Sequence, residues 1–337
     1  MAWIDISAPD GGTTWDRSQS IYYEGKVYVP DATVLRIYDV SNNTWTSKAF
    51  PSTIGSRGAI CIDFVNGDLF IAGNSNFFKY HVSTDTFSAL SHTTAFFTGF
   101  TSSIKRIYYY RNNLILGVHC GNAGIFLYSI SANTWSTPGN TLNYDVFGYA
   151  GMSLSDERYP KWKGWHVCFS GTPTLRFYRG IDNSGESATQ VGVVGALGPN
   201  IMYTPTTIYI GGNSALSSYS ANVESGSFTT VSSDFGDQNG PACWGEGFVF
   251  HWTSNGSVGK KWTPTYKVAG TASYEGTIYA GVKIVVLKQG LGEVLGMTYT
   301  NAYGNWIVGL ETNDPVDIIA YNNGAADAFA NIVPVAY

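Results

Sequence analysis

The chain has 337 residues, with Lys+Arg 19 against Asp+Glu 24, a formal charge of −5, and charged residues at only 13%. Aromatics at 15% exclude a disordered chain, which would be rich in charge and poor in rings. The acidic balance argues against general nucleic-acid binding, which needs a basic footprint.

The opening Met1-Ala2-Trp3-Ile4-Asp5 has no basic stretch followed by an apolar one, so no secretory signal is read. The longest apolar run, Ile284-Val285-Val286-Leu287, falls far short of the roughly 18 residues a membrane span requires. Cys61, Cys120, Cys168 and Cys243 lie too far apart for a zinc knuckle or a redox pair and read as small buried hydrophobes.

One unit recurs along the first part of the chain: an apolar segment, a Tyr, a polar turn and an aromatic. Its clear copies carry Tyr38 and Trp45, Tyr80 and Phe87, and Tyr128 and Trp135, always seven residues apart. Looser copies centre on Tyr178, Tyr219 and Trp262, so the anchors 38, 80, 128, 178, 219 and 262 are spaced by 42, 48, 50, 41 and 43 residues. Such a period with short alternating strands predicts a β-propeller, here six-bladed over residues 1–265. A single small sheet cannot shield both faces, so the blades must stack. The sixth unit lacks its last strand, and Trp3-Ile4-Asp5-Ile6-Ser7 has the pattern of that strand. Residues 2–7 are therefore expected to close the last blade and remove an open sheet edge.

These units resemble kelch repeats, most clearly at Ile208-Tyr209-Ile210-Gly211-Gly212 and in the Tyr-to-Trp spacing. The resemblance implies a propeller fold and leaves function open. Residues 8–15, Ala-Pro-Asp-Gly-Gly-Thr-Thr-Trp, also match the sialidase Asp-box apart from Ala8, a turn rather than a catalytic element.

Past Thr265 the pattern changes to closely spaced short strands over residues 266–337, which predict a small β-sandwich. Its segment 293–306, Glu-Val-Leu-Gly-Met-Thr-Tyr-Thr-Asn-Ala-Tyr-Gly-Asn-Trp, is similar to the carboxypeptidase-regulatory-like (transthyretin-like) domains, with Asn301 where Asp is usual. The variant it resembles occurs at the C-terminus of tailed-phage virion proteins, and that resemblance implies a virion setting.

Chemistry is not announced. The loop carboxylates Asp156, Glu157, Asp182, Glu186, Asp234, Asp237 and Glu246 could include the pair that glycoside hydrolysis needs, but their spacing pairs none of them. The five histidines stand isolated in sequence, so no metal site is read and no cofactor is expected. Lys283 and Asn331 could be imagined as an isopeptide pair, against the ordinary reading of an exposed strand lysine. The aromatic-rich stretch Tyr159, Lys161, Trp162, Lys163 and Trp165, together with Trp244 and Trp252, forms the candidate ligand-binding set. Rings of this kind stack on sugar faces and anchor protein interfaces. Period-two spacing equally allows Trp162 and Trp165 to point into a blade core.

The resulting expectation is an all-β, non-enzymatic structural virion protein of a tailed phage, a tail fibre, tail-tip or adhesin component. It would bind host-surface glycan or protein, be made in the host cytoplasm, contact other tail or capsid proteins in multiple copies, and neither insert in a membrane nor bind nucleic acid. A capsid decoration protein and a glycan-degrading propeller enzyme are the alternatives.

Overall fold

A computed structural model describes residues 2–9, 15, 18–55, 58–63, 66–97, 104–111, 114–120, 124–137, 240–245, 248–274, 276–279, 281–292, 294–300, 303–310, 312–322 and 325–336, and between 138 and 239 the strands at 151–153, 165–170, 174–179, 189–193, 197–203, 207–212, 216–220 and 228–232. The fold is all-β; the helix among the described residues is a single turn, Thr94–Phe97.

Strands follow the chain in antiparallel groups of four. The first sheet contains Ile21–Tyr23, Lys26–Pro30, Val34–Asp39 and Thr44–Ala49, and the second Ala59–Asp63, Asp68–Ala72, Phe77–His81 and Thr86–Leu90. The third contains Ile104–Arg111, Leu114–Cys120, Gly124–Ser129 and Thr134–Ser136, and the fourth Gly151–Ser153, Trp165–Ser170, Thr174–Arg179 and Thr189–Val193. The fifth contains Leu197–Tyr203, Thr207–Gly212, Leu216–Ser220 and Phe228–Ser232. The sixth has Ala242–Gly245, Phe248–Trp252 and Gly259–Thr263, and its fourth strand is the N-terminal Ala2–Ile6. That strand runs antiparallel to Gly259–Thr263, with Trp3 opposite Trp262 and Asp5 opposite Lys260. The Lys260 ammonium meets the Asp5 carboxylate at 2.7 Å.

The first strands of successive sheets lie side by side. Ile21–Tyr23 adjoins Ala59–Asp63, which adjoins Ile104–Arg111, which adjoins Gly151–Ser153. Leu197–Tyr203 adjoins Ala242–Gly245, and that strand returns to Ile21–Tyr23. The meeting of last and first sheets is tight: a Cβ on Gly245 would stand 2.0 Å from Tyr22 Cγ, so only glycine admits the ring there.

Strand alternation normally separates a core face from a solvent face. In the first and second sheets both faces are buried, because a neighbouring sheet covers each. Val27 and Val29 of the first sheet join Phe248, Phe250 and Trp252 of the sixth. Tyr28, between those valines, joins Ile60, Ile62, Leu69 and Ile71 of the second sheet. The other face of the second sheet, with Phe70 and Phe77, packs on Ile107, Ile115 and Tyr128 of the third. Gln19 adds a polar tie: its Oε1 accepts from Ile60 N–H at 3.2 Å, and its Nε2 donates to the Ile107 carbonyl at 3.2 Å. Burial of such faces at ~25 cal/mol per Å² is the main force holding sheet to sheet.

The C-terminal part is sandwich-like. Asn305–Leu310, Tyr266–Thr271 and Val335–Ala336 form one sheet, and Val294–Tyr299, Lys283–Lys288, Val316–Asn322 and Ala325–Ile332 form another. A core of Val268, Ile284, Val286, Val308, Leu310, Val316 and Ile318 lies between them. Ile307, on the other side of its strand from Val308, packs against the cluster shared by the first and sixth sheets. The C-terminal part therefore touches the seam where the chain of sheets closes.

Candidate functional site

The three best sequence repeats share one local geometry. Tyr38 stands opposite Trp45, Tyr80 opposite Phe87, and Tyr128 opposite Trp135, each pair joining the third and fourth strands of its sheet. The seven-residue spacing is thus a hairpin. Asn43, Asp85 and Asn133 occupy the left-handed position of those hairpins, with φ of 54°, 56° and 52°. Asn and Asp are the non-glycine residues that tolerate it best.

These side chains also join neighbouring sheets. Tyr128 O–H donates to Asn133 Oδ1 at 2.6 Å, and the same oxygen accepts the Ser91 N–H, at the end of the second sheet, at 2.8 Å. Trp135 Nε1–H returns a bond to the Ser91 carbonyl at 2.9 Å. The pattern recurs at the seam. Tyr38 O–H and Ser7 N–H both reach Asn43 Oδ1, at 2.9 and 2.7 Å, and Trp45 Nε1–H donates to the Ser7 carbonyl at 3.0 Å. Trp252 Nε1–H reaches that same carbonyl at 3.0 Å. Burial pushes the Tyr128 phenol up to about 12, and burial with the nearby Asp39 charge does the same for Tyr38. We expect Asn133→Ala to lower stability by about 1–2 kcal/mol, since one acceptor serves two donors. Asn133→Gly, which keeps the backbone but not the oxygen, should stay below wild type in urea unfolding.

The middle copy replaces both polar partners. Phe87 has no N–H, and Phe50 fills the place with ring contacts to Phe87 at 5.3 Å and Phe78 at 5.9 Å. Asp85 is bonded by Lys48 Nζ and by Tyr80 O–H. These two partners, Lys48 first, hold the Asp85 carboxyl below the usual carboxylate range. A carboxyl depressed in the folded state adds stability above its unfolded pKa of about 3.9 and loses it as pH falls through the folded value. Asp85→Asn should therefore make the acid-side fall in unfolding midpoint below about pH 4 shallower.

Of the sequence-derived ligand set, Tyr159, Lys161, Trp162 and Lys163 lie outside the described residues, as do all seven loop carboxylates and the Asp-box turn 10–14. Trp165 is placed in a strand opposite Arg179, and Trp244 in a strand opposite Val249. Trp252 is corrected: it is 0% exposed and lies among Tyr38, Trp45 and Phe250, so it is a core residue with no face for a ligand. Trp15, the last residue of the Asp-box match, is also fully buried. Cys61 and Cys243 are buried, and burial raises the Cys61 thiol well above its ordinary value.

The imagined isopeptide pair is not assembled. Lys283 stands opposite Tyr321, which pairs with Ala326, whereas Asn331 adjoins Ile332, the partner of Val316 at the other end of the sheet. The Lys283 ammonium lies 5.9 Å from the Tyr321 ring centre.

Sequence inspection missed one constellation. His81 was isolated by spacing, but the ladders of the second sheet bring three polar side chains onto it. His81 Nδ1 lies 2.7 Å from Asp68 Oδ1, and His81 Nε2 lies 3.3 Å from Ser88 Oγ. Lys79, directly opposite Ser88 in the ladder, reaches Asp68 Oδ2 at 3.3 Å. The signal was present in principle: Asp68 and His81 are cross-strand partners once the hairpin register is known.

Among the described residues no group of three or more His, Cys, Asp or Glu is placed to hold a metal ion. Among them, too, no helix is long and apolar enough to cross a membrane.

The successive four-stranded sheets, packed face to face, define a β-propeller. No family model and no curated protein matches the chain. Solved structures do. A protein of unknown function from Bacteroides thetaiotaomicron is 12% identical, with a TM-score of 0.53, over 76% of this chain and 71% of that one. Regucalcin from Agrobacterium tumefaciens, described as a calcium-binding protein, is 11% identical, with a TM-score of 0.51, over 77% of this chain and 93% of its own. Likeness at this level is likeness of fold alone.

Proposed function

We propose that the chain is a six-bladed, kelch-like propeller carrying a transthyretin-like sandwich, and that it serves as a rigid display platform on a tailed-phage particle. In this reading the sandwich and the seam beside it fix the molecule to other virion proteins. The propeller loops meet host-surface glycan or protein. The observation that supports rigidity is the seam itself: the N-terminal strand completes the sixth sheet, and Ser7 bonds with Asn43, Trp45 and Trp252. A scaffold fastened this way holds its loops in place without further ordering cost, which favours recognition. Many copies on one particle would raise avidity well above single-site affinity.

The phage setting rests on the similarity of residues 293–306 to virion-associated sandwich domains. Immunogold labelling of purified particles tests it, together with binding of the soluble chain to host cells. The proposal expects label at the tail and saturable binding to cells. Label confined to the capsid, or none on particles, overturns it.

A further inference from the structure

We infer that Asp68, His81 and Ser88 form a nucleophile relay on the second sheet, able to hydrolyse oxygen esters of carboxylic acids. This goes beyond the display reading and stands independently of it.

The argument begins with register. Asp68 and His81 are directly opposite on adjacent strands, and Ser88 lies one diagonal step away on the next strand. Diagonal neighbours on one sheet face are within reach of long side chains. His81 Nδ1 lies 2.7 Å from Asp68 Oδ1 and Nε2 lies 3.3 Å from Ser88 Oγ, an order that suits the neutral ring protonated on Nδ1. An ionised carboxylate only accepts hydrogen bonds, so Nδ1 carries the ring proton and Nε2 of the neutral imidazole is left to accept from the Ser88 hydroxyl. That is the order of roles a serine nucleophile requires: a base within reach, itself oriented by a third group. The longer Ser88 bond is of the kind that tightens when substrate binds.

Access is suited to the task. Asp68 is more enclosed than His81, with 14% of its side chain exposed against 28%. Ser88 is half-buried on the outermost strand of its sheet, so a carbonyl can arrive from solvent. Lys79, opposite Ser88 in the ladder, pairs its ammonium with Asp68 Oδ2 at 3.3 Å and so fixes the carboxylate that orients the ring.

The chemistry balances with water as the one co-reactant. Ser88 Oγ bonds to the ester carbonyl carbon while its proton moves to His81 Nε2. The bond to the leaving alcohol breaks as Nε2 returns that proton to the departing oxygen. Water then attacks the acyl-serine with its proton passing to Nε2, and the bond to Ser88 breaks as Nε2 reprotonates Oγ, releasing the acid. An oxygen ester is the class that fits, because an alcohol oxygen, taking one proton from Nε2, leaves more readily than an amide nitrogen. Asp68 acts through the ring and is a positioning residue.

The test uses the full chain with 4-nitrophenyl acetate, and diisopropyl fluorophosphate as a covalent probe read by peptide mass spectrometry. The inference expects the phosphoryl adduct on Ser88 of the wild-type chain, and none in His81→Gln. It expects hydrolysis to fall at least tenfold in Ser88→Ala and His81→Gln, with unchanged circular dichroism. Asp68→Asn should lower turnover with little change in KM. An unlabelled Ser88, or equal hydrolysis by wild type and Ser88→Ala, overturns it. The labelling needs no variant and therefore decides the matter even if a substitution disturbs folding.

Discussion

A chain lacking residues 1–7 should lose most of its cooperative stability. The truncation removes the outer strand of the sixth sheet and deprives two indole groups, Trp45 Nε1 and Trp252 Nε1, of the Ser7 carbonyl they share, while Asn43 Oδ1 keeps only Tyr38 O–H. Each buried polar group left unpaired costs about 1–3 kcal/mol. A typical domain is stable by about 5–15 kcal/mol, so two such losses plus a missing strand remove much of that margin. Thermal melting should broaden and shift down. Because the lost piece is a strand at an open edge, a synthetic peptide of residues 1–9 should bind there and restore the transition in a concentration-dependent way. A truncated chain melting like the full one would show that the seam does not hold the structure together.

The second large effect is expected at Trp252. Its ring centre lies 5.2 Å from Tyr38, 5.0 Å from Trp45 and 6.3 Å from Phe250, with no exposed surface. Trp252→Ala should cost about 3–5 kcal/mol, the range for emptying a large aromatic site in a core. Trp252→Phe keeps most of the apolar packing but leaves the Ser7 carbonyl with one indole donor instead of two, and should cost less. Equilibrium denaturation separates the two. A tryptophan serving a ligand would give the opposite result, little change in stability and a loss of binding.

The propeller repeat was legible because its chemistry is local. The residues that turn each hairpin, Asn43, Asp85 and Asn133, lie between a Tyr and an aromatic that face each other across the ladder. Seven residues of sequence therefore specify a turn, a register and a pair of rings. The missing last strand of the sixth sheet was legible for a related reason: Trp3 has the position relative to Ser7 that Phe87 has relative to Ser91.

Trp252 was not legible. Alternation assigns residues to two faces of a strand but does not say what covers each face. In stacked sheets both faces are covered: Phe248, Phe250 and Trp252 share one face and one core cluster, and Val249 and His251 on the other face are buried as well. The Asp68, His81 and Ser88 group was hidden differently. Its members are separated by 13 and 7 residues, and only strand pairing converts those separations into hydrogen-bond distances. For Lys283 and Asn331 the same dependence on register worked in reverse, setting apart two residues that chemistry alone would have joined.

Hydrogen exchange of the backbone amides of residues 3–6, followed by mass spectrometry or NMR in the intact chain, tests the closed circle of sheets most directly. Protection matching that of Gly259–Thr263, and lost only with global unfolding, is the predicted result. Exchange at the rate of an unstructured chain end would contradict it.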